Sequence, residues 1–121
     1  MISSFGKVLK VYRKRNNDTL KTLSEKLEIS LPYLSSMEVG RRLVTLDVIQ
    51  KVKELYDLSE EEYNDLYMAM LDTNNKVDLE LSKMNEAQRE VSMVFARKIE
   101  NADPELIDKL RKVLLESDDQ D

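Results

Sequence analysis

The chain has 121 residues, 36% of them charged, with two glycines, two prolines, no cysteine, no histidine and a net charge of −5. That length suits one domain, or one small domain with an extension, and it can bury a core without disulfide or metal staples. The absence of Cys and His excludes disulfides, thiol nucleophiles, Cys/His zinc sites and His-based acid–base chemistry, so neither an enzyme nor a metal or cofactor site is expected. The start, MISSFGKVLK, has no apolar run of signal-peptide or membrane-span length, which predicts a soluble cytoplasmic protein with no membrane contact. Charge is divided unevenly: residues 1–58 balance to +4 and residues 59–121 to −9. A basic first half suits phosphate contact, although charge on helices is also ordinary solvated surface.

Taken in order, Ser3 or Ser4 can cap a first helix to about Asn16, with Phe5, Val8, Leu9 and Tyr12 as its inward stripe. Asn16, Asn17 and Asp18 break that pattern, and asparagine tolerates the left-handed backbone that ends helices. Thr19 caps a short second helix to about Leu27, on which Leu20, Leu23 and Leu27 share a face. After Glu28-Ile29-Ser30, a third helix places Leu34 and Met37 inward and Ser35, Ser36 and Val39 outward, until Gly40 stops it. Pro32 is tolerated in its first turn but disfavours a helical Leu31, which leaves Ser30 or Leu31 as the cap. Thr45 caps a fourth helix to about Tyr56, lined by Val48, Ile49, Val52 and Leu55. Ser59 and Glu62 form a capping box for a fifth, to about Asp72, lined by Tyr63, Leu66, Tyr67 and Met70.

Asp72-Thr73-Asn74-Asn75 reads as a linker, and it lacks the central glycine and final glutamate of a calcium loop. Val77, Leu79 and Leu81 then alternate with Asp78 and Glu80, the pattern of a short half-buried strand. With no second strand in the chain, the same segment of another subunit could pair with it; an extended linker resting its apolar side chains on helices fits equally. Asn85 and Gln88 offer a capping box for a helix to about Asn101, with Ala87, Val91, Val94, Phe95 and Ile99 on one face. Asp103 and Pro104 start a last helix carrying Leu106, Ile107, Leu110, Val113 and Leu114. These two helices carry more apolar face than a hairpin hides alone, so they either dock on the first domain or form a dimer interface. The tail ESDDQD is acidic, and solvation of Asp118, Asp119 and Asp121 outweighs a metal role.

The spacing L-x-x-S-x-x-x-L-S-x-x-E-x-G-R-R over residues 27–42 resembles the recognition segment of the Cro/phage-repressor (XRE) type of helix-turn-helix regulator. The resemblance covers residues 3 to about 72. It departs from the family at Leu20, where many members have a phosphate-contacting Gln, at Ser24, where Ala is usual, and at Glu28, where Gly supplies a left-handed turn. A left-handed glutamate would cost about 1 kcal/mol, and a looser turn is the alternative.

The fold class implied is all-α: a five-helix DNA-binding domain over residues 1–72, a linker with a short strand over 73–84, a helical hairpin over 85–116 that serves dimerisation, and an acidic tail over 117–121. The resemblance implies a structural ion pair between Arg13 and Glu38. It also lays the third helix in the major groove of double-stranded DNA, where Leu31, Pro32, Ser35, Ser36 and Val39 face the bases. Lys21, Tyr33, Arg41 and Arg42 are the phosphate candidates, with Lys26 and Lys7 secondary. None of the base-facing residues can make a bidentate base contact, so DNA shape, half-site spacing or Arg41 and Arg42 reaching in would add specificity. The function expected is a sequence-specific regulator, a repressor on a two-fold operator, homodimeric through residues 76–116. The alternative is an antitoxin-like or inhibitor protein that binds a protein partner through its acidic C-terminal region.

Overall fold

A computed structural model of the protein describes residues 1–119, with side chains described to Glu116. The α-helices are α1 (Ser4–Arg15), α2 (Leu20–Lys26), α3 (Leu31–Glu38), α4 (Leu46–Tyr56), α5 (Glu60–Asn74), α6 (Glu86–Lys98) and α7 (Pro104–Asp119). The chain divides into two compact units, with the boundary after Val77.

In the first unit, Phe5, Leu9, Leu23, Leu34, Met37, Ile49, Val52 and Leu66 are sealed from solvent and come from each of α1 to α5. Burial of each such side chain contributes roughly 1.5–3 kcal/mol, and these contributions hold five short helices that could not persist alone. On α4 the buried aromatic is Tyr56, while Leu55 turns outward. Ser3, Thr19, Ser30, Thr45 and Ser59 cap α1 to α5 through their side-chain oxygens, and Glu62 completes the box at Ser59.

α1 to α4 end alike. The residue after each helix, or one beyond it, turns left-handed at Asn17, Glu28, Gly40 and Asp57, and the following amide reaches back to the helix: Asp18 to Arg13, Ile29 to Ser24, Arg41 to Ser36 and Leu58 to Lys53. This is the Schellman arrangement, and only one of the four ends uses the glycine that suits it best.

The last turn of α5 is part of the first unit rather than a linker. Phe5 N–H donates to Thr73 Oγ1 at 2.9 Å, and Ser4 Oγ donates to the Asp72 carboxylate. Asn74 accepts from Val44 N–H and donates to Val44 C=O, both at 2.8 Å. Asn75 then turns left-handed and ends the helix.

The expected strand is absent: among the described residues there is no β-structure, and residues 76–80 are irregular, followed by a 3-10 turn at Leu81–Lys83. An extended run becomes a strand only when another backbone pairs with it, and none does here. Val77 and Leu79 accordingly stay 65% and 52% exposed instead of half-buried.

In the second unit, Asn85 and Gln88 form a capping box on α6, and Leu106 N–H bonds to the Asp103 carboxylate ahead of α7. A 3-10 turn, Ile99–Asn101, follows α6. No side chain in residues 78–116 is buried. Of the acidic tail, residues 117–119 continue α7, while their side chains and residues 120–121 lie outside the described residues. Among the described residues no helix is long and apolar enough to cross a membrane.

Candidate nucleic-acid interface

The interface is built from α2, the turn after it, and α3. Leu23 and Leu27 on α2 and Leu34 and Met37 on α3 are buried, which glues the two helices together, and Ile29 packs partly buried against the same core. Ser24, where close approach demands a small residue, is 3% exposed and donates its hydroxyl to Lys21 C=O at 2.7 Å. The turn is not looser than usual: Glu28 takes the left-handed conformation at φ 60°. Ser30, not Leu31, is the cap, accepting from Tyr33 N–H at 3.2 Å.

With Leu34 and Met37 committed inward, the opposite side of α3 is wet. Leu31 and Val39 are exposed at 38% and 37%, Pro32 is exposed, and Ser35 and Ser36 are half-buried. Ser36 Oγ donates to Pro32 C=O at 2.8 Å, so its hydroxyl proton is committed and its lone pairs face outward as acceptors. The Gly40 turn (φ 81°), in which Gly40 N–H bonds to Met37 C=O and Arg41 N–H to Ser36 C=O, delivers Arg41 and Arg42 directly beyond the end of α3. The Arg42 guanidinium lies over the Tyr33 ring, 5.4 Å from its centroid, and Ser30, Pro32, Ser36 and both these residues surround one open hollow of about 340 Å³. Lys21 is exposed at the start of α2.

α3 is held from behind by α1. Ser3 Oγ and N–H both donate to the last α3 carbonyl, Glu38 C=O, at 2.6 and 3.0 Å, while the same hydroxyl accepts from Gly6 N–H. A Cβ on Gly6 would overlap that carbonyl and meet Glu38 Cγ at 2.8 Å, so the approach of the two helices depends on the missing side chain. Among the described residues, no hydrogen bond or ion pair is seen between Arg13 and Glu38. Arg13 Nη1 donates to Asp18 C=O at 3.1 Å, and Arg13 Nε and Glu38 Oε2 are each buried without a hydrogen-bond partner.

A polar cluster that sequence reasoning missed centres on Asp18, which is only 8% exposed. Its carboxylate accepts from Lys26 Nζ and Tyr56 OH, both at 2.8 Å, and from Thr22 Oγ1 at 3.3 Å. Lys26, opposed by burial and helped by Tyr56, holds the Asp18 carboxyl below its usual range. Burial and the bond to Asp18 push the Tyr56 hydroxyl well above its ordinary pKa. Lys26, at the end of α2, is thus occupied in holding the loop between α1 and α2. The only trace in the sequence is the spacing of Asp18, Thr22 and Lys26 by four residues, one helical face. Gly6, alone inside a helical pattern, was a readable sign of close backbone approach.

Two helices joined by a tight turn, the second exposing a narrow face flanked by arginines, define a helix-turn-helix DNA-binding unit. Residues 9–63, a little under half of the chain, match the family model described as Helix-turn-helix, and this domain belongs to the Cro/phage-repressor (XRE) type. The match supports a DNA-binding transcription regulator of that type. No curated protein and no solved structure matches the chain.

Proposed function

We propose that the protein is a non-enzymatic, cytoplasmic repressor that binds a two-fold symmetric operator as a homodimer through residues 76–116. The observation that carries this reading is the outward side of α3 together with the arginines its Schellman end delivers. Leu31, Pro32, Ser35, Ser36 and Val39 face the bases. Leu31, Pro32 and Val39 meet thymine methyls, and Ser36, as an acceptor, suits the amino group of adenine or cytosine. Lys21, Arg41 and Arg42 bind phosphates with the Tyr33 hydroxyl, the Tyr33 ring holding Arg42 in place at about 0.5–1 kcal/mol for an exposed cation–π contact. Arg13 and Glu38 have a structural role: they carry opposite charges, each with a buried atom in need of a partner, on helices that pack together. Two such α3 helices, about 34 Å apart, would enter successive major grooves on one side of the duplex.

A second reading, protein binding through the C-terminal region, draws on the −9 balance of residues 59–121 and the exposed apolar side chains of α6 and α7. Selection of bound fragments from random DNA at two salt concentrations separates the two. The regulator enriches a palindrome and loses affinity steeply with salt. No enrichment, with binding unchanged by Arg41→Glu and Arg42→Glu together, would remove the repressor reading.

A further inference from the structure

α6 carries a charge pattern matched to itself when reversed. Glu86, Glu90, Met93 and Arg97 follow one another at spacings of four, three and four residues and so line one flank of the helix. This flank borders the apolar side formed by Val91, Val94 and Phe95, which are 67%, 39% and 39% exposed. Met93, 50% exposed, stands between the acidic and basic ends of the flank. Among the described residues, none of Glu86, Glu90 and Arg97 takes part in an ion pair.

A cleft of about 380 Å³ between α6 and α7 is lined by Val94, Phe95, Ile99, Leu106 and Leu110, together with Glu90 and Lys98. Residues 78–116 bury no side chain, so this apolar surface has no core of its own to satisfy it.

We infer that α6 pairs antiparallel with α6 of a second copy of this chain, Met93 lying near the two-fold axis and Arg97 of each copy seated between Glu86 and Glu90 of the other. The inference rests on the homodimer reading above and gives it a geometry. A register centred between Ser92 and Met93 sets Arg97 opposite position 88, midway between the two glutamates. In an antiparallel pair a flank beside the apolar contact meets the same flank of the partner, which brings the acidic end of one copy against the basic end of the other. The pattern is also isologous, as a two-fold interface requires: the acidic half meets the basic half twice. Apolar contact between the two α6 faces supplies affinity, and the charges set direction.

Charge exchange tests the pairing in the full chain. Sedimentation should show a dimer for the wild type, and Glu90→Lys or Arg97→Glu alone should weaken it about tenfold or more, because the first converts two symmetric attractions into repulsions and the second four. An equimolar mixture of the two variants should recover dimers, because Arg97 of one chain again meets Glu86 and Glu90 of the other. Circular dichroism confirms that each variant keeps its helices, and the recovery guards against loss through misfolding. A wild-type dimer insensitive to both substitutions, or single variants that weaken and do not recover on mixing, would overturn the antiparallel α6 pairing and leave the homodimer reading standing. A wild type that stays monomeric at every concentration overturns both.

Discussion

Asp18 shows how a residue that looks like a helix breaker can be the hub of a unit. Its backbone N–H closes the end of α1, its C=O accepts from Arg13, and its carboxylate ties Lys26 on α2 to Tyr56 on α4. A buried carboxylate with this many donors is stable only while ionised. Because the folded-state pKa is held down, its contribution is fully present above the unfolded value, about 3.9, and is lost as pH falls through the folded value. Acid unfolding of the wild type should therefore steepen below about pH 4. Asp18→Asn, which keeps the shape but not the charge, should be less stable at neutral pH by about 2 kcal/mol and flatter with acid, as denaturant titrations at several pH values would read. Equal acid slopes for the two proteins would count against this role. The Asp18 cluster escaped the sequence reading because Tyr56, 38 residues away, supplies the contact that makes it buried.

At the scale of elements, helix ends do more than helix interiors to set the geometry. The chain spends one of its two glycines on the end of α3, where the backbone must turn to bring Arg41 and Arg42 forward, and the other on the α1–α3 contact. That leaves α2 to close on a left-handed glutamate. Glu28→Gly should thus stabilise the protein by about 0.5–1 kcal/mol, the relief of backbone strain less the extra freedom glycine has when unfolded. Thermal melting would show the midpoint rising by a few degrees with DNA affinity unchanged; a lower midpoint would mean that the Glu28 side chain has a role its exposure does not reveal. The caps and core stripes of α1 to α5 were legible in the sequence because they depend on residues three or four apart. Less legible was the end of α5. Asp72, Thr73 and Asn74 have the composition of a linker, yet their side chains bind α1 and the loop before α4, partners that no local pattern indicates.

For the whole molecule, the strand reading failed for a related reason: alternation tells which side chains share a face, not whether a second backbone is present to pair with. The recognition helix was readable because motif, turn and flanking helices agreed, whereas the Arg42–Tyr33 stack was not, since it joins residues nine apart across a turn. The division after Val77 supplies a test of how the two units share labour. A protein ending at Val77 should fold, stay monomeric in sedimentation, and bind a full operator about 10²-fold more weakly than the intact chain, through loss of the linked second half-site. A shortened protein as dimeric as the intact one would place the dimer contact in the first unit. The cut belongs there and not at Asp72, because Asn74 offers Val44 an acceptor and a donor from one amide, the pairing that a neighbouring strand would give. Although it contains no strand, the segment bearing Arg41 and Arg42 is thereby tethered as the edge of a sheet is tethered. If those arginines grip a phosphate as proposed, its pull falls on the body of the domain rather than on a free loop.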